Sequence, residues 1–428
     1  MLKNSNRIIA IGCLVYLLSF SLFAQVRKNV AAEYHIISND SVNQLVVSYR
    51  IFLGGLVYTK NSAGYRAEYS VLLERYDSTD QILQREMFSQ NDSVEGFPDK
   101  SSEKYKHGLC KLSYSNNTEK LVLKVTDENA QKVIGNYTFI VTNNLSGRIR
   151  NDVYIVEIAN SSGTAKMGFP LVNSGGIMPF SEKKYWIIAA ADSTTPDTSK
   201  IYFTSDSLSI SARADSVIHG TADLSEFANG VYLNFNSEHK SKYKYFLLKN
   251  ISQLFFPVNY SISFNSNVQI PSYEKQRLNV IWVDRPVSSE KIEYAYKIME
   301  HIDEGFTKSA YYKKSTDNPL VELLYVWKQL DATPSTAYNE RMAEFFKRVD
   351  YALMNFSSLK GNDGAELDRG EMYIRLGAPK LIERKVHSSG KIAEIWEYEK
   401  LWNEQGVSKN FMFIDNSGTG NFELVGKR

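Results

Sequence analysis

The chain has 428 residues, with 50 Lys and Arg against 48 Asp and Glu, two Cys, 27 Tyr and 22 Phe. So even a charge balance excludes a nucleic-acid partner, whose phosphate backbone demands a basic excess, and a polybasic hold on a membrane surface. The length suffices for roughly two to four domains with hydrophobic cores, and abundant aromatics with Ser, Asn and Val are β-sheet composition.

Residues 1–24 read as a cleavable secretory signal peptide. Lys3 and Arg7 form a basic start, residues 8–23 an apolar run, and Ala24-Gln25 a small residue before a polar one. The run is short for a bilayer span and contains Ser19 and Ser21. Cys13 precedes most of the run, which argues against lipidation there. Cleavage removes Lys3 and Arg7, leaving 48 basic against 48 acidic residues in a chain that starts near Gln25. Cys110 is then the lone cysteine, so no disulfide within the chain supports the fold in an oxidising compartment. The expectation is an exported protein, periplasmic or outer-membrane-associated, with no direct membrane span in the mature chain.

Two β regions follow. In residues 25–145, Leu45, Val47, Tyr49 and Ile51 alternate with Val46, Ser48 and Arg50. The same period recurs at Tyr65, Ala67, Tyr69, Val71 and Leu73, at Leu121, Leu123 and Val125, and at Tyr137, Phe139 and Val141. Residues 146–286 repeat the style at Leu208, Ile210 and Ala212, at Val231, Leu233 and Phe235, at Tyr243, Tyr245 and Leu247, and at Val258, Tyr260, Ile262 and Phe264. Period two over several short runs predicts strands with one buried face, hence two antiparallel Ig-like β-sandwich domains. Asn173-Ser-Gly-Gly-Ile177 reads as a turn.

From residue 287 the period becomes helical. Ile292, Ala295, Met299, Ile302 and Phe306 share a stripe, with Ser288 or Ser289 as its cap. A second helix carries Leu320, Leu323, Leu324 and Trp327. A third opens near Thr333-Pro334 with the stripe Tyr338, Met342, Phe345, Val349, Ala352 and Phe356. A short helix near residues 368–376 stops at Gly377-Ala-Pro379, and strands follow at residues 392–398, 410–415 and 421–425. Residues 287–428 are thus an α+β domain at the end of a mainly β, multidomain chain.

In this last region the chain carries Trp327, Asp331-Ala-Thr-Pro334, Asn339-Glu340, Arg348-Val-Asp-Tyr-Ala352, Asp368-Arg-Gly370, Tyr373-Ile374, Gly377-Ala-Pro379 and Ile395-Trp-Glu-Tyr398. These residues, in this order over about 290–428, resemble the GWxTD domain family of Bacteroidetes and Acidobacteria envelope proteins. The signature itself is degenerate: Gly364-Ala365-Glu366-Leu367-Asp368 stands where the family has Gly-Trp-x-Thr-Asp. The resemblance implies an envelope location and a fold; it implies no chemistry. Residues 369–415 also resemble the small outer-membrane lipoproteins of the β-barrel assembly machinery, which are non-enzymatic scaffolds.

No constellation for catalysis stands out. His35, His107, His219, His239, His301 and His387 are too far apart in sequence for a zinc site and read as exposed or capping residues. No metal and no cofactor is implied. The candidate binding cluster is Asp368, Arg369, Gly370, Tyr373, Trp396 and Tyr398. Its competing structural reading has Asp368 capping the short helix and Arg369 paired with Glu394 or Glu397. Trp396 and Tyr398 share a strand face. Six Asp-Ser-x tripeptides resemble the O-glycosylation site of Bacteroidetes envelope proteins, at Ser41, Ser78, Ser93, Ser193, Ser207 and Ser216. Asp-Ser also begins turns by side-chain-to-backbone bonding. The functional expectation is a non-enzymatic scaffold that binds another envelope protein through its C-terminal domain. The alternatives are an envelope hydrolase with a site between domains and a carbohydrate-binding accessory protein.

Overall fold

The computed structural model describes residues 29–38, 43–98, 104–114, 118–141, 153–158, 168–227, 230–238, 241–264, 276–302, 318–328, 330–331, 333–399 and 409–426. The signal segment, Ser41, His239 and Phe306 lie outside these residues. The protein is mainly β, half strand and 17% helix, with several antiparallel sheets and four α-helices among the described residues. It divides into two compact units, Met1–Ile281 and Trp282–Arg428.

The first unit begins with β1 (Val30–Ser38), β2 (Asn43–Phe52), β3 (Thr59–Asn61), β4 (Gly64–Tyr76), β5 (Ile82–Val94), β6 (Tyr105–Ser113), β7 (Lys120–Asp127) and β8 (Lys132–Ile140). One sheet has the order β1-β2-β6; the other is β3-β4-β7-β8, with β5 also on β4. The alternating residues of the sequence meet between them. Leu45, Val47, Tyr49 and Ile51 share a core with Ala67, Tyr69, Val71, Leu73, Leu121, Leu123 and Val125. Side chains two apart on a strand point the same way, so a period of two delivers each set to one face.

The unit continues through β9 (Val153–Glu157), β10 (Phe169–Pro170), β11 (Ile177–Pro179), β12 (Tyr185–Asp192), β13 (Lys200–Thr204), β14 (Ser209–Arg213), β15 (Ser216–His219), β16 (Thr221–Phe227), β17 (Gly230–Asn236), β18 (Tyr243–Leu248), β19 (Asn259–Phe264) and β20 (Gln276–Ile281). Three sheets result: β10-β17-β16, β15-β18-β12-β9 and β11-β20-β19-β13-β14. All pairings are antiparallel except β11 with β20. A second core gathers Tyr154, Ile188, Leu224, Leu233 and Leu247, and it also takes Ile37 and Val46 from the first sheet. The β1-β2-β6 sheet is therefore buried on both faces. Val46 and Ser48, read from sequence as the wet face of their strand, are fully buried. The boundary expected near residue 145 thus falls within one compact unit, where this sheet serves both cores.

A buried polar cluster accompanies that junction. Glu33 and Ser48 lie opposite each other in the β1–β2 register. Ser48 Oγ donates to Asn173 Oδ1 at 3.3 Å, and the Gly176 N–H donates to Glu33. Asn173, Gly175 and Gly176 hold φ of 50°, 75° and 71°, which lets the turn bring its backbone onto the sheet. His35, read as exposed or capping, is buried and stacks on Tyr154 at 5.0 Å.

The second unit contains α1 (Ile292–Ile302), α2 (Pro319–Lys328), α3 (Glu340–Phe356), α4 (Asp368–Leu376) and a sheet β21-β22-β23-β24 built from Leu381–Val386, Ile392–Tyr398, Lys409–Asp415 and Phe422–Leu424. Met342, Val349, Ala352 and Phe356 of the expected stripe are buried on α3, together with Phe346. The helix opens later than Thr333-Pro334. Asn339 is its cap, accepting the Met342 N–H at 2.8 Å, because an amide side chain there meets an otherwise orphan donor. The 3-10 turn Val287–Ser289 precedes α1, and its serines cap nothing: Ser288 Oγ donates to the Phe346 carbonyl and Ser289 Oγ to that of Pro286. Asp350 of α3 instead accepts the Val287 and Ser288 N–H groups, both at 2.8 Å. Trp327 packs on Phe345 and Phe346 at 5.1 and 5.9 Å, as a core residue. Among the described residues no helix is long and apolar enough to cross a membrane.

His107 lies opposite Arg50 in the β2–β6 register. Burial, then the Arg50 charge, hold its pKa down at about 4, against an ordinary value of 6.5. Between pH 6.5 and 4 the unfolded chain therefore binds the proton that the folded one refuses. The first unit should lose stability as pH falls through that window, by on the order of 2 kcal/mol once its partial exposure is discounted. Denaturant midpoints measured from pH 7.5 to 4 check this, and His107→Gln should flatten the slope.

Candidate functional site

Of the six residues singled out from sequence, Arg369 of α4 and Trp396 of β22 meet at Glu394, and Tyr398 reaches the end of α4. Arg369 is buried. Its guanidinium stands 4.2 Å from the Phe422 ring centroid and 5.1 Å from that of Phe356. Nη1 donates to Glu394 Oε2 at 3.2 Å and Nη2 to the Gly420 carbonyl at 2.9 Å. Arg384, from the edge strand β21, donates Nε and Nη2 to the other oxygen, Glu394 Oε1. Trp396 completes the set, its Nε1 donating to Glu394 Oε2 at 3.2 Å. Of the two carboxylates expected for Arg369, Glu394 is the partner. The two-pronged contact comes from Arg384 instead.

Glu394 is buried, 3% exposed. Residues 394, 396 and 398 point to one face of β22, so the buried tryptophan and tyrosine carry the carboxylate in with them. Burial pushes the Glu394 pKa up. The Arg384 hydrogen bonds, the Arg369 charge and the Trp396 N–H outweigh it, and the net value lies below the ordinary carboxylate range. Burial also draws Arg369 down and Glu394 opposes this, but a guanidinium starts high enough to stay charged.

Each remaining member has a structural task. Asp368 does not cap α4: the cap position is Leu367, whose side chain makes no cap bond. The Asp368 carboxylate instead accepts the Leu424 N–H at 2.7 Å and ties α4 to β24. A Cβ on Gly370 would run into the Gly364 carbonyl, and one on Gly364 would run into the Ala352 carbonyl and the Ser357 nitrogen. Two glycines therefore allow α4, the preceding loop and the end of α3 to touch backbone to backbone. Tyr373 stacks on Tyr351 at 4.4 Å and meets Phe356 edge-on at 5.6 Å. Trp396, fully buried, packs on Phe356 and Phe413 at 5.4 and 4.9 Å. Tyr398 donates its hydroxyl to the Gly377 carbonyl at 3.0 Å.

Several partners escaped the sequence reading. Arg348 donates to the Ile374 carbonyl at 3.3 Å and satisfies the end of α4. Asp415 accepts N–H groups from Ser417, Thr419 and Gly420, shaping the loop that carries the Gly420 carbonyl to Arg369. The run Asp415-Asn-Ser-Gly-Thr-Gly420 carries turn chemistry that signals the loop. Nothing in the sequence signals its contact with α4.

Among the described residues no group of three or more His, Cys, Asp or Glu side chains could hold a metal ion. Of the six candidate serines, Ser78, Ser93, Ser193, Ser207 and Ser216 are exposed. Asp77 and Asp192 accept the N–H groups of Thr79 and Thr194 at 2.9 and 2.8 Å, so both tripeptides build turns. No protein-family model matches the chain, and no curated protein matches it.

Removing one partner of a buried ion pair strands the other, so Glu394→Ala should destabilise the second unit by about 3–5 kcal/mol. Arg384→Ala should cost less than ~1 kcal/mol, since its side chain is 65% exposed and Arg369 remains on Glu394. A depressed carboxylate contributes stability above its unfolded pKa and loses it as pH falls through the folded one. The wild-type second unit should therefore weaken as pH falls below about 4.3, and Glu394→Ala should reduce that dependence, leaving the share of Asp415, whose carboxyl its backbone N–H donors also hold down. Leu367→Thr supplies the missing cap hydroxyl and should add about 1 kcal/mol. Chemical denaturation of the four proteins reads all of these.

Proposed function

We propose that this is an exported, non-enzymatic protein of the cell envelope, whose C-terminal region is a GWxTD-like module that docks another envelope protein. The observation that carries the reading is how the candidate cluster uses its polar groups. Arg369, Glu394, Trp396, Asp368 and Tyr398 direct their hydrogen bonds at one another or at backbone. A network closed on itself makes a rigid support rather than a reaction centre. Two apolar side chains face outward beside it. Met354 is 85% exposed and Tyr351 44%, on the same side of α3, with Tyr351 stacked on Tyr373. Exposed apolar side chains on a rigid frame suit protein recognition.

The same reading takes residues 1–24 as a signal peptide and residues 25–145 and 146–286 as Ig-like β-sandwich domains. Facing sheets over shared cores support the sandwich assignment. The five exposed serines are compatible with glycan attachment. Without a lipid, the mature chain would be held at a membrane only through its partner.

Cross-linked affinity purification of the tagged chain from its own envelope should recover a reproducible envelope protein. Met354→Asp should weaken that recovery with little change in thermal stability, since that side chain is 85% exposed. Recovery of nothing reproducible by the wild type would sink the scaffold reading. The intact mass of the exported protein tests the rest: it should begin near Gln25 and exceed the mass of the bare chain if the serines are glycosylated.

A further inference from the structure

β21 is the edge of its sheet, paired on one side with β22 and, among the described residues, on the other side with nothing. All six of its residues are exposed. An open edge presents a row of N–H and C=O groups that can template another strand. Which groups face outward follows from the ladder. His387 donates its N–H to the Lys391 carbonyl, so the odd-numbered residues of β21 bond inward to β22. The backbone groups of Ile382, Arg384 and Val386 therefore point away from the sheet.

We infer that β21 pairs antiparallel with β21 of a second copy, on a two-fold axis through Arg384 perpendicular to the sheet. Such an axis keeps each sheet face continuous, so facing residues must share a face and their numbers must sum to an even value. Centring on Glu383 sets Glu383 against itself, and centring on Lys385 sets Lys385 against itself; like charges directly opposite are unfavourable. Centring on Arg384 also sets that residue against itself, but it brings two opposite-charge pairs in return. Glu383 then faces Lys385 of the second copy, twice over, and neither residue has an ion-pair partner among the described residues.

The same register turns Ile382 toward Val386 of the second copy. These side chains are 49% and 73% exposed, and Ile392, at 49%, stands behind Val386. An apolar row then runs across the junction from Trp396 and Ile382 to Val386 and Ile392 of the second copy. Ile382, Arg384 and Val386 are also the residues whose outward N–H and C=O groups this register pairs. The two Arg384 side chains meet at the axis, each bonded to its own Glu394, a carboxylate it shares with Arg369, so this one like-charge contact is set against the two Glu383–Lys385 pairs. Edges that avoid self-pairing carry charges that repel at facing positions; here two of the three facing charged pairs attract. This surface is distinct from the α3 face proposed for the envelope partner, and self-pairing stands or falls independently of it.

Sedimentation velocity of the full mature chain over roughly 1–200 μM should show a monomer–dimer equilibrium, the weak range expected of a small interface. Val386→Pro removes an outward donor and leaves the inward ladder intact, and should raise the dissociation constant at least ~10-fold. Lys385→Glu and Glu383→Lys should each raise it about 10-fold. An equimolar mixture of those two variants should associate again, because each supplies the charges the other lacks. If Val386→Pro fails to fold, the charge reversals at exposed positions decide alone. A wild-type chain that stays monomeric over this range overturns the inference. So does a dimer indifferent to the charge reversals, or a mixture that does not associate.

Discussion

A carboxylate taken out of water must be met by donors, and in each unit of this protein one such group marks where separate elements have to converge. In the second unit it is Glu394. Its oxygens draw in an arginine from α4, another from the edge strand, and the indole beside it on β22. Arg369 cannot serve without also lying over Phe356 and Phe422 and reaching the Gly420 carbonyl, so α3, α4, β21, β22 and the β23–β24 loop all meet at this one charge. In the first unit Glu33 plays the corresponding part, drawing the turn at residues 173–176 onto the β1-β2-β6 sheet.

This economy bears on function. Residues that looked like a recognition cluster spend their polarity inside the fold, and the two surfaces proposed for partners are the Tyr351 and Met354 side chains of α3 and the free edge of β21. Both are poor sites for bond-making chemistry and good ones for association. A rigid frame with two unlike outward surfaces is what an assembly component requires, which is the sense of the proposed scaffold role.

The degenerate signature acquires a physical reading as well. Gly364 and Asp368, the two positions that agree with the resembled family, are the two with a demand that only those residues meet here: a backbone contact without a Cβ, and a short carboxylate on the Leu424 N–H. Ala365 is fully buried and Leu367 occupies the helix cap without capping it.

Much of the architecture was legible in the chain because periodicity reports which side of an element is buried. The α3 stripe, the 368–376 helix and the alternation at residues 45–51 and 121–125 are of this kind. β21 was not legible, since Leu381-Ile-Glu-Arg-Lys-Val386 is exposed on both faces and carries no period. The double burial of β2 was not legible either: Ser48 looks like a wet face until Asn173, 125 residues away, meets it. Sequence by itself determined the alternation of the core strands, the α3 stripe and the turns, all of which depend on near neighbours. Only the tertiary structure decided which sheet serves two cores, that Asp350 rather than a serine caps the turn before α1, and that Arg369, Arg384 and Glu394 form one closed network. Those outcomes depend on groups that the sequence separates and that burial alone brings together.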